Sequence, residues 1–344
     1  MSARLSLKTV EPAITTTEIW VSMREIGKGP SAASSNSKDF CCWDMIIAGE
    51  VAYDSFTQIS PEGHGHLKRR ILTGAGRPYS VRQQLKVASG DSVRTVNAGD
   101  IAFQVGDDNA GFWGQVSAAT WEPATFDAIG RHLTPETTFL DFGAWIGPVT
   151  LYAAAKAKRV LSFEPDHEAL RQLRDNISLN PALQGKIEVL EKAVWPVAGK
   201  LRMGARTAPG DSMSSMMHTN AEVSWEVEAI TPASVEALVD PNEPLFIKID
   251  VEGAEYEIVP ALGSLLARPK IAVLIAFHPR FAAGGGFRLH RSFPMTRRVF
   301  RVFDGWEHYR VRRDSIHRAF RTEFLTRLPI PCFEAKSGYL FVKR

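Results

Sequence analysis

Cysteine is scarce in this 344-residue chain: Cys41, Cys42 and Cys332 are its only three. They form no CxxC pair and no even set, which leaves no disulfide framework to read and fits a reducing compartment. Long apolar runs are lacking as well. The longest, IAVLIAF at Ile271–Phe277, is far too short to span a bilayer and suits a buried strand. No h-region precedes a small-residue cleavage site near the N-terminus, so the expectation is a cytoplasmic protein with no membrane span. Net charge is also low, at +3, which by itself excludes an argument for nucleic acid. No internal repeat is evident.

What is present is the composition of a soluble globular protein, 44% apolar and 23% charged, with length for one large α/β domain and an additional piece, or for two domains. The positive charge is uneven. The last sixty or so residues hold roughly three basic residues for each acidic one, as in MTRRVF and HYRVRRD. A solvated face explains this adequately; a surface for an anionic partner is the sharper alternative.

Three regions are expected. Residues 1–80 read as an extension, partly disordered or loop-rich: GKGPSAASSNSKDF is small and polar, and SPEGHGHLKRRILTGAGRP is turn-rich and basic. His64 and His66 lie in the latter, without further ligands at metal spacing. Residues 81–134 read as a cap, in which VRTVNAGDIAFQV alternates around a turn as a hairpin does. TWEPATFDAIGRHL follows as a helix, with Phe126, Ile129 and Leu133 on one face. Residues 135–344 alternate between strand and helix. TFLDFG, RVLSFEP, KIEVLEKAVW, PLFIKIDV and KIAVLIAFH are the strands, and the final GYLFVKR closes the sheet, in an antiparallel sense if it turns back. Near-continuous apolar strands are those of a parallel sheet covered on both faces. The predicted fold is therefore α/β: a mostly parallel twisted sheet with helices on both faces, preceded by an extension with a hairpin and a helix.

The chemistry concentrates at FLDFGAWIGPVTLYAA, Phe139–Ala154. A dinucleotide turn needs G-x-G-x-x-G, because its second glycine lets backbone approach a pyrophosphate. In that register this chain has Gly143, Trp145 and Pro148. The indole takes space that a phosphate would need, and the P-loop Lys with Ser/Thr is missing too. What remains is an acid, Asp141, then a tight turn over Gly143, Ala144, Trp145 and Gly147. A second acid, Glu164 of the pair Glu164-Pro165, ends the next strand, where a carboxylate grips a ribose diol. Together they describe a phosphate-free nucleoside with an amino-acid tail, which is S-adenosyl-L-methionine. A third segment, IKIDVEGAEYEIV, places Lys248, Asp250, Glu252 and Glu255 at the carboxyl end of a strand. Glu252 and Glu255 read equally well as first-turn helix acids.

The stretch from about Trp121 to His278 resembles the FkbM-type S-adenosylmethionine-dependent methyltransferases, of class I. The resemblance rests on FLDFGAWIG, FEPDHEALRQLRDNISLN, IKIDVEGAEYEIV and the AFH after the fifth strand. Trp145 departs from the asparagine common in the family. The resemblance implies methylation of a hydroxyl on a sugar, polyketide or related small molecule, with cofactor residues Asp141, Gly143, Ala144, Trp145, Gly147, Glu164 and Pro165. Asp250 and His278 are the two candidates for the base. No metal is expected, since the sequence shows no clear ligand set, although a metal-dependent variant would draw on carboxylates such as Asp250. Two other functions compete: an RNA or DNA methyltransferase using the basic C-terminal region, and a non-catalytic partner domain of the same fold. The first lacks the Asn/Asp-Pro-Pro-aromatic motif, DVEG standing in its place, so nucleic acid is disfavoured as a partner.

Overall fold

The computed structural model describes residues 93–217, 221–282, 289–312, 314–318 and 336–343, together with five strands between Ser2 and Lys86. The chain divides into two compact units, Met1–Ser92 and Val93–Arg344.

In the first unit, Ser2–Leu7, Thr17–Glu25 and Trp43–Ile47 form an antiparallel three-stranded sheet, and His64–Leu72 pairs with Pro78–Lys86. The loop expected at HGHLKRRIL is thus a strand and carries His64 and His66. Residues such as Ile71, Tyr79 and Val81, with high strand propensity, fall within this pairing. The polar stretch GKGPSAASSNSKDF and the three cysteines lie outside the described residues.

The second unit begins with the expected hairpin, β1 (Val93–Ala98) and β2 (Ile101–Gly106), followed by α1 (Ala110–Ser117) and α2 (Pro123–Gly130). Proline at the first position suits α2, where its missing N–H costs nothing. Phe126, Ile129 and Leu133 are buried, as their spacing requires.

The main sheet contains β3 (Thr138–Phe142), β4 (Arg159–Phe163), β5 (Ile187–Leu190), β6 (Leu245–Ile249), β7 (Ile271–Phe277), β8 (Glu307–Val311), β9 (Ile316–Arg318) and β10 (Ser337–Val342). Its order is β5-β4-β3-β6-β7-β10-β8-β9. The first five strands are parallel. β10 turns back antiparallel between β7 and β8, as expected for GYLFVKR. This is a class I methyltransferase-like architecture.

Both faces of the sheet are packed. Leu140, Ile247, Ile249, Val273 and Ile275 point into one core; Phe139, Phe246 and Leu274 point into the other. That alternation within uniformly apolar strands is the period-two pleat with helices on each side. Phe139 stacks on Phe246 at 5.3 Å, and each such buried ring contributes roughly 1.5–3 kcal/mol by area. Of the crossover helices, α3 spans Pro148–Lys156 and α4 spans His167–Ser178, capped by Asp166. After β6 the helical stretch is divided: α5 covers Glu255–Ala261 and a tighter 3₁₀ turn covers Gly263–Ala267. Pro260 and Gly263 lie on either side of the break, as the poorest helix formers should.

The segment between β5 and β6 forms a separate small sheet, Ala193–Val194, Val223–Ile230 and Gly199–Ala205 in that order. Within it, KLRM of Gly199–Ala205 pairs antiparallel with SWEVEAI of Val223–Ile230. In the basic C-terminal region, helix Leu289–Val302 buries Val299 and Phe300 and exposes Arg291, Arg297 and Arg298.

Candidate active site

Two glycines shape the turn after β3. Gly143 has φ +80°, and a Cβ there would lie 2.1 Å from the carbonyl oxygen of Asp250; Gly147 has φ +96° and faces Leu173. Asp141 lies beneath this turn with no exposure. It stands opposite Lys248 in the β3–β6 register. The Lys248 ammonium lies 3.0 Å from its Oδ1 and donates to the carbonyl of Gly143 at 2.6 Å. Thr150 donates to Oδ2 at 2.7 Å. The expectation that Asp141 touches the ligand therefore meets a different arrangement: its charge is matched internally, and it braces the turn. Gly147 likewise begins α3 and is absent from the cavity wall.

Glu164 is placed differently. It is buried yet lines a cavity of about 190 Å³, together with Gly143, Ala144, Trp145 and Pro165. One carboxylate oxygen accepts the N–H of Trp145 at 2.7 Å and the other accepts that of Asp166 at 2.8 Å. Burial pushes its pKa up to about 7 against the pull of those two backbone donors. Trp145 sits at φ +50°, its ring edge-on to Phe112 and its indole N–H donating to the carbonyl of Gly210 at 3.0 Å. The indole forms part of the wall and leaves the cavity open beside it.

The loop of residues 206–217 passes over this cavity, contributing Asp211, Ser212, Ser214, Ser215 and Met216 to its lining. Asp166 fixes it: one oxygen caps α4 while the other accepts from Gly210 N at 2.8 Å and Ser214 Oγ at 2.9 Å. Ser215 adds a bond to the carbonyl of Glu252 at 2.7 Å.

A second cavity, of about 490 Å³, adjoins the first and shares Trp121, Glu122, Thr125, Lys248, Asp250 and Lys336 with it. Lys336 stands at the junction, 2.8 Å from Glu122 and 3.5 Å from Asp250. Neither Glu122 nor Lys336 was visible as a site residue in sequence. Five non-glycine residues among those described have positive φ, and three of them, Glu122, Trp145 and Glu252, line the first cavity. Such backbone strain persists where surrounding structure enforces it and collects at functional sites.

Asp250 lines both cavities, whereas His278 stands behind it, buried and off the wall. His278 Nε2 lies 3.7 Å from Asp250 and 3.5 Å from Glu252, and Nδ1 lies 3.6 Å from Glu255. Burial alone would depress the imidazole, but Glu255, Asp250 and Glu252 overcome it and push it up to about 9. Burial raises Glu252 to about 7. Asp250 resists its own burial because Lys336, His278 and Lys248 hold it at about 2.

Residues 141–307 match the family model of the methyltransferase FkbM domain. Over that stretch, a little under half of the chain, the protein is similar to the FkbM methyltransferases. No curated protein sequence matches it. Among solved structures, methyltransferase FkbM from Methylobacillus flagellatus is similar at 16% identity and TM-score 0.38, over 61% of this chain and 44% of that one. An rRNA methylase from Streptococcus thermophilus is similar at 12% identity and TM-score 0.34, over 64% and 94% of the two chains. A Streptococcus mutans protein solved in complex with SAH is similar at 9% identity and TM-score 0.35, over 64% and 96%. The matched stretch begins at Asp141 and so takes in the glycine turn, Glu164 and the Asp250–His278 cluster. No described helix of the chain is long and apolar enough to cross a membrane.

Proposed function

We propose that this protein is an S-adenosylmethionine-dependent methyltransferase acting on a hydroxyl of a sugar, polyketide or related small molecule. The observation that carries the cofactor assignment is the charge of the first cavity. Glu122, Glu164, Asp166, Asp211, Asp250 and Glu252 line it against Lys192, Lys248 and Lys336. An acidic wall suits a sulfonium with an ammonium tail and opposes a phosphate. Glu164 fits a ribose diol, since a carboxylate offers about four acceptor sites and backbone N–H groups occupy only two. Phe112, Trp145, Val149 and Phe163 supply an apolar wall for a purine.

When bound, S-adenosylmethionine supplies a methyl group already activated for transfer. The remaining work falls to positioning. The turn from Gly143 to Trp145 and the loop over residues 211–216 enclose the first cavity and keep water from it. The second cavity would hold the acceptor, with Gln115, Thr120, Arg310 and Arg312 as hydrogen-bonding groups suited to a hydroxylated molecule. Asp250 faces both spaces, so a hydroxyl reaching the junction can give up its proton there as its oxygen takes the methyl. His278, behind Asp250, acts through it.

Calorimetric titration with S-adenosylmethionine and S-adenosylhomocysteine tests the reading. Binding of both with micromolar affinity is expected, and no heat or thermal stabilisation from either would overturn it. Metabolite extracts incubated with enzyme and cofactor should then yield a product heavier by one methyl group.

A further inference from the structure

We infer that Asp250, Glu252 and His278 form a binding site for a divalent first-row metal ion. Three ligand-type atoms converge: Nε2 of His278, Oδ1 of Asp250 and Oε1 of Glu252, all within 4.8 Å of one another. The imidazole is only 3% exposed. Neither of its nitrogens has a hydrogen-bond partner, and neither does Oδ1 of Asp250. Buried polar atoms without partners are costly, and such an arrangement calls for something between them. The separations of 3.7 and 3.5 Å from Nε2 to the two carboxylates lie close to the roughly 3.0–3.4 Å between ligands that share an ion at about 2.1 Å. Movements of a few tenths of an ångström would bring these two separations into range, and the two carboxylates lie within 4.8 Å of one another.

The surroundings fit the same reading. A metal-bound histidine usually gives its other ring N–H to a carboxylate, which fixes the tautomer. Glu255 is buried 3.6 Å from Nδ1. Its own carboxylate is held by the N–H of Gly253 at 2.8 Å and by the backbone N–H of His278. Glu252 is turned toward the cluster by a left-handed backbone, φ +48°, with its carbonyl tied to Ser215. Phe281 packs on the imidazole at 6.1 Å and gives the site an apolar side. On the other side Asp250 and Glu252 border the cavity, which leaves coordination positions open to a bound oxygen. One nitrogen and two carboxylate oxygens suit Mn²⁺ or Zn²⁺ better than Ca²⁺, which prefers oxygen alone.

This site does not depend on the cofactor assignment, so its test uses the metal by itself. Mn²⁺ is titrated into the metal-free full chain, and the spectrum of the free ion is followed by electron paramagnetic resonance. One site of micromolar affinity is expected. His278→Gln and Glu252→Gln should each weaken it at least tenfold, and Glu255→Gln, acting through the imidazole, by about tenfold. Thermal midpoints identify any variant that fails to fold, and Glu252→Gln, on the cavity wall, keeps the test available if His278→Gln does. Wild-type affinity no tighter than millimolar, or affinity unchanged in both folded variants, would overturn the proposal. S-adenosylhomocysteine binding measured on the same samples reports separately on the cofactor reading.

Discussion

Lys248 lies directly opposite Asp141 in the parallel register, and its ammonium spans from that carboxylate at 3.0 Å to the carbonyl of Gly143 at 2.6 Å. Both side chains are buried, so neither charge can turn to water. Removing one partner strands the other, which typically costs about 3–5 kcal/mol. Lys248→Met should therefore lower the thermal midpoint strongly, and Asp141→Asn added to it should restore most of the loss. The double-mutant cycle by thermal denaturation checks this. Additive losses would mean that the pair does not hold the turn.

In the proposed reading of the site, Glu164 couples pH to cofactor affinity. Its folded-state pKa of about 7 lies above the ordinary 4.5 because of burial. A raised carboxyl contributes stability below about pH 4.5 and loses it as pH climbs through 7. A ribose diol donates hydrogen bonds to the ionised form, so binding runs the other way and tightens from pH 6 to pH 8. Calorimetry of S-adenosylhomocysteine at both pH values should show this tightening. Glu164→Gln should weaken binding roughly ten- to a hundredfold, as loss of charge-assisted bonds does, and flatten the profile. A variant with the same slope would place the titration elsewhere.

The strands, the crossover helices and the position of the glycine turn were legible because each depends on neighbours in sequence: the apolar runs, Pro148 after Gly147, Asp166 ahead of its helix. Individual roles at the site were less so. Asp141 and Glu164 look equivalent as acids ending adjacent strands, yet Asp141 meets Lys248 and Glu164 meets two backbone N–H groups. Only the register of β3 on β6 separates them. Lys336 is 86 positions from Asp250, and nothing local marks it. The metal-type cluster was hidden for the same reason. Asp250 and Glu252 alternate at a strand end, but His278 joins them only once β7 lies beside β6.

Asn176 illustrates a motif residue whose work is structural. It sits within the helical run LRDNISLN, yet its carbonyl oxygen accepts from Gly106 N, 70 positions away, and its amide donates to the carbonyl of Ile146. Asn180 repeats the arrangement on Gln104. The two asparagines thus bind the β2 edge to α4 and the glycine turn. Asn176→Ala leaves a backbone donor and acceptor unpaired, at about 1–3 kcal/mol each. The expected outcome is faster amide exchange in β1 and β2 by mass spectrometry, with β6 and β7 unchanged. Uniform acceleration would argue against a local role.

Asp166 separates helix capping from loop closure, because its two oxygens serve different segments. Oδ1 accepts from Glu168 N and Ala169 N, while Oδ2 holds Gly210 N and Ser214 Oγ. Ser214→Ala removes one loop bond and leaves the cap intact. A typical hydrogen bond is worth about 1 kcal/mol net, so cofactor affinity should fall roughly fivefold while the thermal midpoint barely moves. Asp166→Ala removes both functions, losing about 0.5–2 kcal/mol from the cap alone and lowering midpoint and affinity together. Proteolysis gives an independent readout: cleavage within residues 206–217 should rise in both variants and fall again when S-adenosylhomocysteine is added. If cleavage were unaffected by the ligand, the loop would not be closing over the first cavity, and the protection that the transfer step needs would have to come from another element.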